Sequence, residues 1–190
     1  MSPSALALTL PKDRSEMLSY GKTMTIKPIF YTDNGPIEQS SKKLIWKSSN
    51  PSIISVSSSG TVKSCLKYNV SSDVTITAET TDGSGLKASI KLKSNPAIRK
   101  MKADNAKGQT VWFPDGNWGM ASLQLWVDYG VQSLAYPVEY KVSGPEGGCM
   151  VQGGGSDYSV IFTKSGNYSI TFKFLDGSNK SATCRWSVRR

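Results

Sequence analysis

Two segments decide the fold of this chain: LIWKSSNPSIISVSSSGTV at residues 44–62 and DVTITAETTDGSGLKASIKL at residues 73–92. In the first, polar turns at residues 48–51 and 58–60 separate short apolar stretches. In the second, apolar and polar residues alternate with a period of two, which is typical of a strand with one buried face. The alternating apolar positions are Val74, Ile76, Ala78, Ala88, Ile90 and Leu92. The pattern predicts a run of antiparallel strands.

The order and spacing of these residues resemble the bacterial immunoglobulin-like domain, group 2. The matching positions are Trp46, Ser48 to Pro51, Val56 and Ser57, Gly60 to Val62, and Thr75 to Ala78. The resemblance extends over about residues 5–93. It implies a β-sandwich module of a surface structure rather than an enzyme. It also implies that Trp46 is a core anchor between two sheets, as in other immunoglobulin-like sandwiches.

The rest of the chain continues the all-β pattern. Residues 23–30 alternate and predict one strand, and the second half alternates at residues 121–127, 138–142 and 158–162. The hairpin from Gly166 to Val188 resembles the last two strands of many immunoglobulin-like and polycystic-kidney-type modules. We therefore expect two tandem immunoglobulin-like β-sandwiches, at residues 1–94 and 95–190, which fits a length of 190 residues.

Composition narrows the range of functions. The chain contains no histidine, which excludes Ser-His and Cys-His triads and every histidine metal site. The 14 Asp and Glu residues are scattered, and the sequence gives no reason to pair any two as a glycosidase would require. We therefore expect no catalytic residues, no cofactor and no metal. The net charge of +9 either favours contact with anionic surfaces or belongs to an ordinary solvated surface.

Cys65, Cys149 and Cys184 are too few for a disulfide scaffold. Cys184 alternates in step with Ala182, Trp186 and Val188, so we expect it to point into the core. Cys149 and Cys184 form either a bridge or two buried free thiols, of which the sequence favours the thiols. We expect Cys65 to be half buried.

Two groups of side chains are candidate contact residues. The first is aromatic and surrounds a turn at residues 113–118: Trp112, Phe113, Trp118 and Trp126. Exposed aromatic rings there would stack on a glycan or form a protein interface, whereas the alternative is a loop folded over the core. The second is basic and lies near the domain junction: Lys91, Lys93, Arg99, Lys100 and Lys102. It fits an acidic partner surface, and no motif for specific nucleic-acid binding accompanies it.

No apolar run is long enough for a membrane span, and MSPSALALTLPKDR lacks the basic region and long apolar core of a secretory leader. These features favour a non-catalytic structural or adhesive protein of a bacteriophage virion, in contact with other structural proteins of the particle. The alternatives are a fragment of a bacterial cell-surface adhesin and a carbohydrate-binding accessory module of a secreted enzyme. The expected partners are other structural proteins of the particle or cell surface, and host-surface glycans.

Overall fold

The computed structural model describes residues 3–37, 43–68, 71–113, 118–128 and 138–190, and the side chains of all of these except 127 and 128. Within them every regular element is a β-strand. The chain divides into two compact units. The first comprises residues 1–97 with 176–178, and the second comprises residues 98–175 with 179–190.

Ten strands are formed by the described residues of the first unit: β1 (Ala5–Thr9), β2 (Met17–Ser19), β3 (Thr23–Thr25), β4 (Lys27–Thr32), β5 (Gly35–Ile37), β6 (Leu44–Ser48), β7 (Ile54–Val56), β8 (Thr61–Ser64), β9 (Val74–Thr80) and β10 (Lys87–Asn95). They form sheets of order β2-β10-β9-β6, β3-β8-β7 and β1-β4-β5. Among these ten strands, as far as the chain is described, β10 and β2 pair in parallel and the other pairs are antiparallel.

This connectivity is that of an immunoglobulin-like sandwich. If β6, β9 and β10 are strands C, F and G, the first sheet is the C-F-G sheet of that fold with β2 added at its edge. Strand A is then β1, strand B is divided into β3 and β4, strand E is β8 and strand D is β7. They occupy two smaller sheets instead of one, because strand B is divided.

The prediction of one continuous strand over residues 23–30 is wrong, because the segment forms two strands, β3 and β4, in different sheets. Thr25 pairs with Thr61 on β8, whereas Lys27 pairs with Thr9 on β1. Ile26 lies between the two pairings, is 1% exposed, and donates its N–H to the carbonyl of Gly60 at 3.0 Å. The alternation stays unbroken across this change of partner, so the sequence pattern does not reveal it.

The core of the first unit lies between these sheets. Its buried members are Leu18, Met24, Ile26, Ile54, Val62, Val74, Ile76 and Leu92. Trp46 of β6 is half buried and packs against this cluster, so it lies where an anchor on strand C is expected.

The described part of the second unit contains eight strands: β11 (Lys100–Ala103), β12 (Gln109–Trp112), β13 (Gly119–Asp128), β14 (Val138–Ser143), β15 (Cys149–Gly154), β16 (Asp157–Phe162), β17 (Gly166–Phe174) and β18 (Ser181–Arg189). One sheet has the order β11-β13-β16-β15 and the other β12-β18-β17-β14. With β11 as strand A and β13 to β18 as strands B to G, these sheets are A-B-E-D and C-F-G, the immunoglobulin arrangement. The predicted all-β class with two immunoglobulin-like sandwiches is confirmed.

Aromatic rings join the two sheets of the second unit. The ring centroid of Phe162 on β16 lies 5.0 Å from that of Tyr168 on β17 and 5.7 Å from that of Trp186 on β18. Tyr158 and Phe172 make a similar contact at 4.9 Å. These centroid separations lie within the range of about 4.5–7 Å typical of aromatic pairs, and the contacts identify the sides of both sheets that face the core.

Tyr168, near the start of β17, is 2% exposed, and its hydroxyl donates to the carbonyl of Lys164 at 2.8 Å. A tyrosine near the start of strand F that bonds back to an upstream carbonyl is the tyrosine corner of immunoglobulin-like domains. The same hydroxyl lies 3.1 Å from the carbonyl of Gly148. Tyr168 thereby holds the turn before β17 and the start of β15 together.

The three cysteines are all free. Cys184 is buried, as its phase predicts, and Cys149 is half buried. Cys65 is exposed, so the expectation of a half-buried Cys65 is wrong. It follows Ser64, the last residue of β8, which is fully buried, and it projects to solvent on the alternate side.

Candidate ligand-binding face of the second unit

The structure does not bring the four predicted aromatic residues to one surface. Trp112 is 63% exposed on β12, and Trp126 is 46% exposed on β13. Both point away from the core, but β12 and β13 belong to different sheets, so the rings lie on opposite outer faces. Trp118 is 58% exposed and precedes Gly119, the first residue of β13. Residues 114–117 of the predicted turn lie outside the described residues.

Phe113 is 7% exposed and belongs to the core, so the structure does not place it on the surface. A Cβ added to Gly119 would lie 2.9 Å from its Cε1 atom, which shows how closely the ring covers that glycine. The alternative interpretation, an aromatic residue folded over the core, therefore holds at Phe113.

The outer face that includes Trp126 follows directly from the sequence of β13. Ala121, Leu123 and Leu125 are buried. Because successive side chains of a strand point to opposite sides, Gln124 and Trp126 project to solvent. We call the solvent side of the β11-β13-β16-β15 sheet the Trp126 face.

A polar row crosses the Trp126 face. The backbone N–H of Asp104 donates to the carbonyl of Gln124 at 3.1 Å, and Gln124 is the register partner of Asp157 on β16. The side-chain amide of Gln124 donates to Oδ1 of Asp157 at 2.9 Å, and Ser156 Oγ donates to Oδ2 at 2.6 Å. The hydrogen bonds from Ser156 and from Gln124 lower the pKa of Asp157 below its usual value. Asp157 is therefore ionised at neutral pH.

Trp126 lies at one end of this row. Its indole Nε1–H donates to Oδ1 of Asp104 at 3.4 Å. On the neighbouring strand β11, Lys102 is its register partner. The bond to Asp104 satisfies the one polar group of the indole and leaves a partly exposed ring beside the carboxylate.

A groove of about 470 Å³ lies along the polar row, within the size range of small-ligand sites. Its polar side chains are Asp104, Ser122, Gln124, Gln152, Asp157 and Ser159. Together they offer carboxylate oxygens, two side-chain amides and two hydroxyls. None of the described residues that line the groove is a lysine or an arginine. The groove thus carries negative charge in a chain whose net charge is +9.

An apolar row borders the polar one. Met120 on β13 and Met150 on β15 are both register partners of Ile161 on the strand between them. Both methionines are 56% exposed, and Ile161 is half buried. The Trp126 face therefore combines a polar groove with exposed apolar side chains.

The outer face of the other sheet also has a groove, of about 480 Å³. Amide and hydroxyl side chains and one cation, Arg185, line it. Arg185 donates to the carbonyl of Ala106 at 3.1 Å. The aromatic residues at this groove, Tyr168 and Trp186, are buried and belong to the core.

The basic residues predicted near the domain junction divide between the two units. Lys91 and Lys93 are on β10, and both lie near Asp73, with Nζ to carboxylate oxygen distances of 3.9 and 3.6 Å. Arg99, Lys100 and Lys102 belong to the second unit and are exposed. Asp73 offsets part of the positive charge of the first pair.

Sequence reasoning did not find the groove, because its walls come from β13, β15, β16 and Asp104, the residue after β11, and these meet only through strand pairing. The one local signal was the run of polar residues at alternate positions before Trp126. Among the described residues, no cluster of three or more His, Cys, Asp or Glu side chains suits a metal ion. No helix in the described part of the chain has the length and apolar character needed to cross a membrane.

No protein-family model matches the chain, and no curated protein matches it. The surface-layer protein SbsC, domains 4 and 5, is similar at 18% identity and a TM-score of 0.36, with 100% of both chains covered. Drosophila N-cadherin EC1-4 is similar at 10% identity and a TM-score of 0.36, with 97% of this chain and 50% of that chain covered. The Yersinia pseudotuberculosis adhesin InvE is similar at 10% identity and a TM-score of 0.37, with 98% of this chain and 58% of that chain covered. The chain spans 28% of a longer SbsC structure. These likenesses assign no function.

Proposed function

We propose that this chain is a non-catalytic structural and adhesive module of a biological surface, and that the surface is that of a bacteriophage virion. The observation that carries the proposal is the Trp126 face, where Met120 and Met150 are each 56% exposed beside a polar groove. Exposed apolar side chains that cluster on one face are a feature of interaction sites. A sandwich of two paired sheets presents such a face without rearrangement.

The chemistry of the groove supports a binding role over a catalytic one. A glycosidase needs one carboxyl group that stays protonated, with a raised pKa, to act as a general acid. The hydrogen bonds to Asp157 lower its pKa instead. Without histidine in the sequence, the general acid and base of most hydrolases are also missing.

We further propose that residues 1–94 are a bacterial immunoglobulin-like domain, group 2, and that residues 95–190 are a second immunoglobulin-like domain. The positions of the motif support this assignment. Trp46 lies on strand C, and Gly60 lies in the turn between β7 and β8.

The location is tested by mass spectrometry of purified particles and by antibody labelling of intact particles and of intact cells. A virion component is recovered at a fixed ratio to the other particle proteins and is accessible to antibody. The main alternative, a bacterial cell-surface adhesin, predicts labelling of intact cells that carry no phage. Recovery only from the soluble cell interior contradicts both.

A further inference from the structure

We propose that the groove of the Trp126 face binds a neutral oligosaccharide, with Trp126 stacked against a sugar ring and the polar row bonded to its hydroxyl groups. This inference rests on the proposed function, since it names the chemical class of partner for an adhesive surface module.

The polar row matches the hydrogen-bonding needs of sugar hydroxyls. An ionised carboxylate accepts about four hydrogen bonds, and Asp157 accepts one at each oxygen from Gln124 and Ser156. The remaining lone pairs are free to accept from hydroxyl groups. The amides of Gln124 and Gln152 both donate and accept, so neighbouring hydroxyls of one sugar find donors and acceptors within one groove.

Trp126 supplies the apolar part of the site. The indole N–H lies 3.4 Å from Oδ1 of Asp104, one of the residues that line the groove, so the ring lies beside the groove. A sugar has one face of C–H groups, and the negative face of an aromatic ring attracts them. The indole ring can therefore stack on the apolar face of a sugar, while the neighbouring carboxylate and amide groups bond to the hydroxyl groups at the edge of the sugar.

Charge selects a neutral ligand. Asp104 and Asp157 both line the groove, and no lysine or arginine does among the described lining residues. Inside the groove an anionic sugar would place its carboxylate or sulfate near these groups, and Lys102, which the register places beside Trp126, is not among the lining residues. We therefore expect uronic-acid and sulfated oligosaccharides to bind more weakly than neutral ones.

The pairing of the strands disfavours an extended peptide in the groove. A peptide that adds to a sheet bonds to the free backbone groups of an edge strand. The groove lies over β13 and β16, the two central strands of the sheet, whose backbone groups pair on both sides. Recognition in the groove therefore depends on side chains, as it does for a sugar.

The test is isothermal titration calorimetry of the full chain with neutral oligomers of glucose, galactose and N-acetylglucosamine, and with oligogalacturonate. Calcium chloride alone is a separate arm. The variants are Trp126→Ala and Asp157→Asn, with Trp112→Ala as the matched control. Trp112 is also an exposed tryptophan of the second unit, but it lies on the opposite outer face. Thermal unfolding of each variant checks that it is folded.

We expect at least one neutral oligomer to bind, with a dissociation constant raised about tenfold or more by Trp126→Ala and by Asp157→Asn and unchanged by Trp112→Ala. The inference is overturned if no neutral oligomer binds at millimolar concentration, or if Trp112→Ala weakens binding as much as Trp126→Ala. It also fails if calcium alone binds and Asp157→Asn abolishes that binding, because the groove is then a cation site.

These outcomes are separable from those of the proposed function. A chain found on particles or cells that binds no sugar retains its surface role and loses the oligosaccharide site. A chain that binds sugar through Trp126 but is confined to the cell interior retains the site and loses the surface role.

Discussion

Gly60 packs directly against the indole of Trp46. A Cβ placed on Gly60 would lie 2.6 Å from Cζ2 and 2.9 Å from Cε2 of that ring, closer than real Cβ contacts come. Gly60 also has a φ of +78°, a conformation that costs little only for glycine. The turn between β7 and β8 therefore covers the core tryptophan of strand C because the residue at position 60 has no side chain.

The substitution Gly60→Ala should destabilise the first unit by about 1–3 kcal/mol beyond the cost of positive φ, since the added methyl group must displace the indole. Gly83→Ala is the matched control, because Gly83 has a φ of +80° and no atom within 4 Å of its Cβ position. Gly83→Ala should cost about 1 kcal/mol. Hydrogen exchange of the β9 amides measures the loss of stability in each variant. Equal losses in the two variants would show that the contact between Gly60 and Trp46 is unimportant.

Tyr168→Phe should destabilise the second unit by about 1–3 kcal/mol, because it leaves the carbonyls of Gly148 and Lys164 without the hydroxyl that bonds them. Tyr140→Phe is the control. Tyr140 is 47% exposed on β14, and its substitution should change the free energy of unfolding by less than about 0.5 kcal/mol. Urea unfolding gives both values, and a Tyr168→Phe variant as stable as the wild type would contradict a supporting role for the tyrosine corner.

The three thiols should react in the order of their exposure. Cys65 is exposed and should react first with an aromatic disulfide reagent, while half-buried Cys149 reacts more slowly because burial raises its pKa. Buried Cys184 should react only after the chain unfolds. Peptide mapping after timed labelling gives the order. A disulfide between Cys149 and Cys184 in the non-reduced protein would contradict the structure.

The second unit should lose stability at alkaline pH. Burial raises the pKa of Cys184 from 9.0 to about 11, and burial also raises the pKa values of Tyr158 and Tyr168 above 10.0. Above pH 9.0 the unfolded chain releases the Cys184 proton before the folded chain does. The stabilisation of the folded second unit by the protonated Cys184 thiol is therefore complete below pH 9.0 and declines as the pH rises towards about 11.

For Cys184 alone the loss should reach about 2–3 kcal/mol by pH 11. Urea unfolding across this pH range measures it. The variant Cys184→Ala lowers stability at every pH through the cavity it leaves, but it should flatten the alkaline decline. If the decline is as steep in the variant as in the wild type, the buried thiol is not its cause.

The alternation of residues 74–92 and the turn chemistry before β7 and β8 were sufficient to predict β7 to β10, and the resemblance implied that Trp46 packs against the core. The pattern did not predict β2, β5 or the division of strand B. Alternation alone was insufficient at β14, where Tyr140 and Val142 are on the inward side of the pairing but remain 47% and 39% exposed. β14 is an edge strand, and its position in the sheet, which the sequence pattern does not encode, decides how well the opposite sheet covers it.

The sequence by itself determined most of the strands, the turns between them and the apolar side of each of these strands, because these features depend on residues within a few positions of one another. It therefore predicted two sandwiches and grouped Trp112, Phe113, Trp118 and Trp126 by proximity in the chain. Tertiary structure alone decided that Phe113 is buried, that Trp112 and Trp126 lie on opposite faces, and that Asp104, Gln124 and Asp157 form one row. Those outcomes depend on which strands become neighbours and in what register, and that pairing joins residues far apart in the chain.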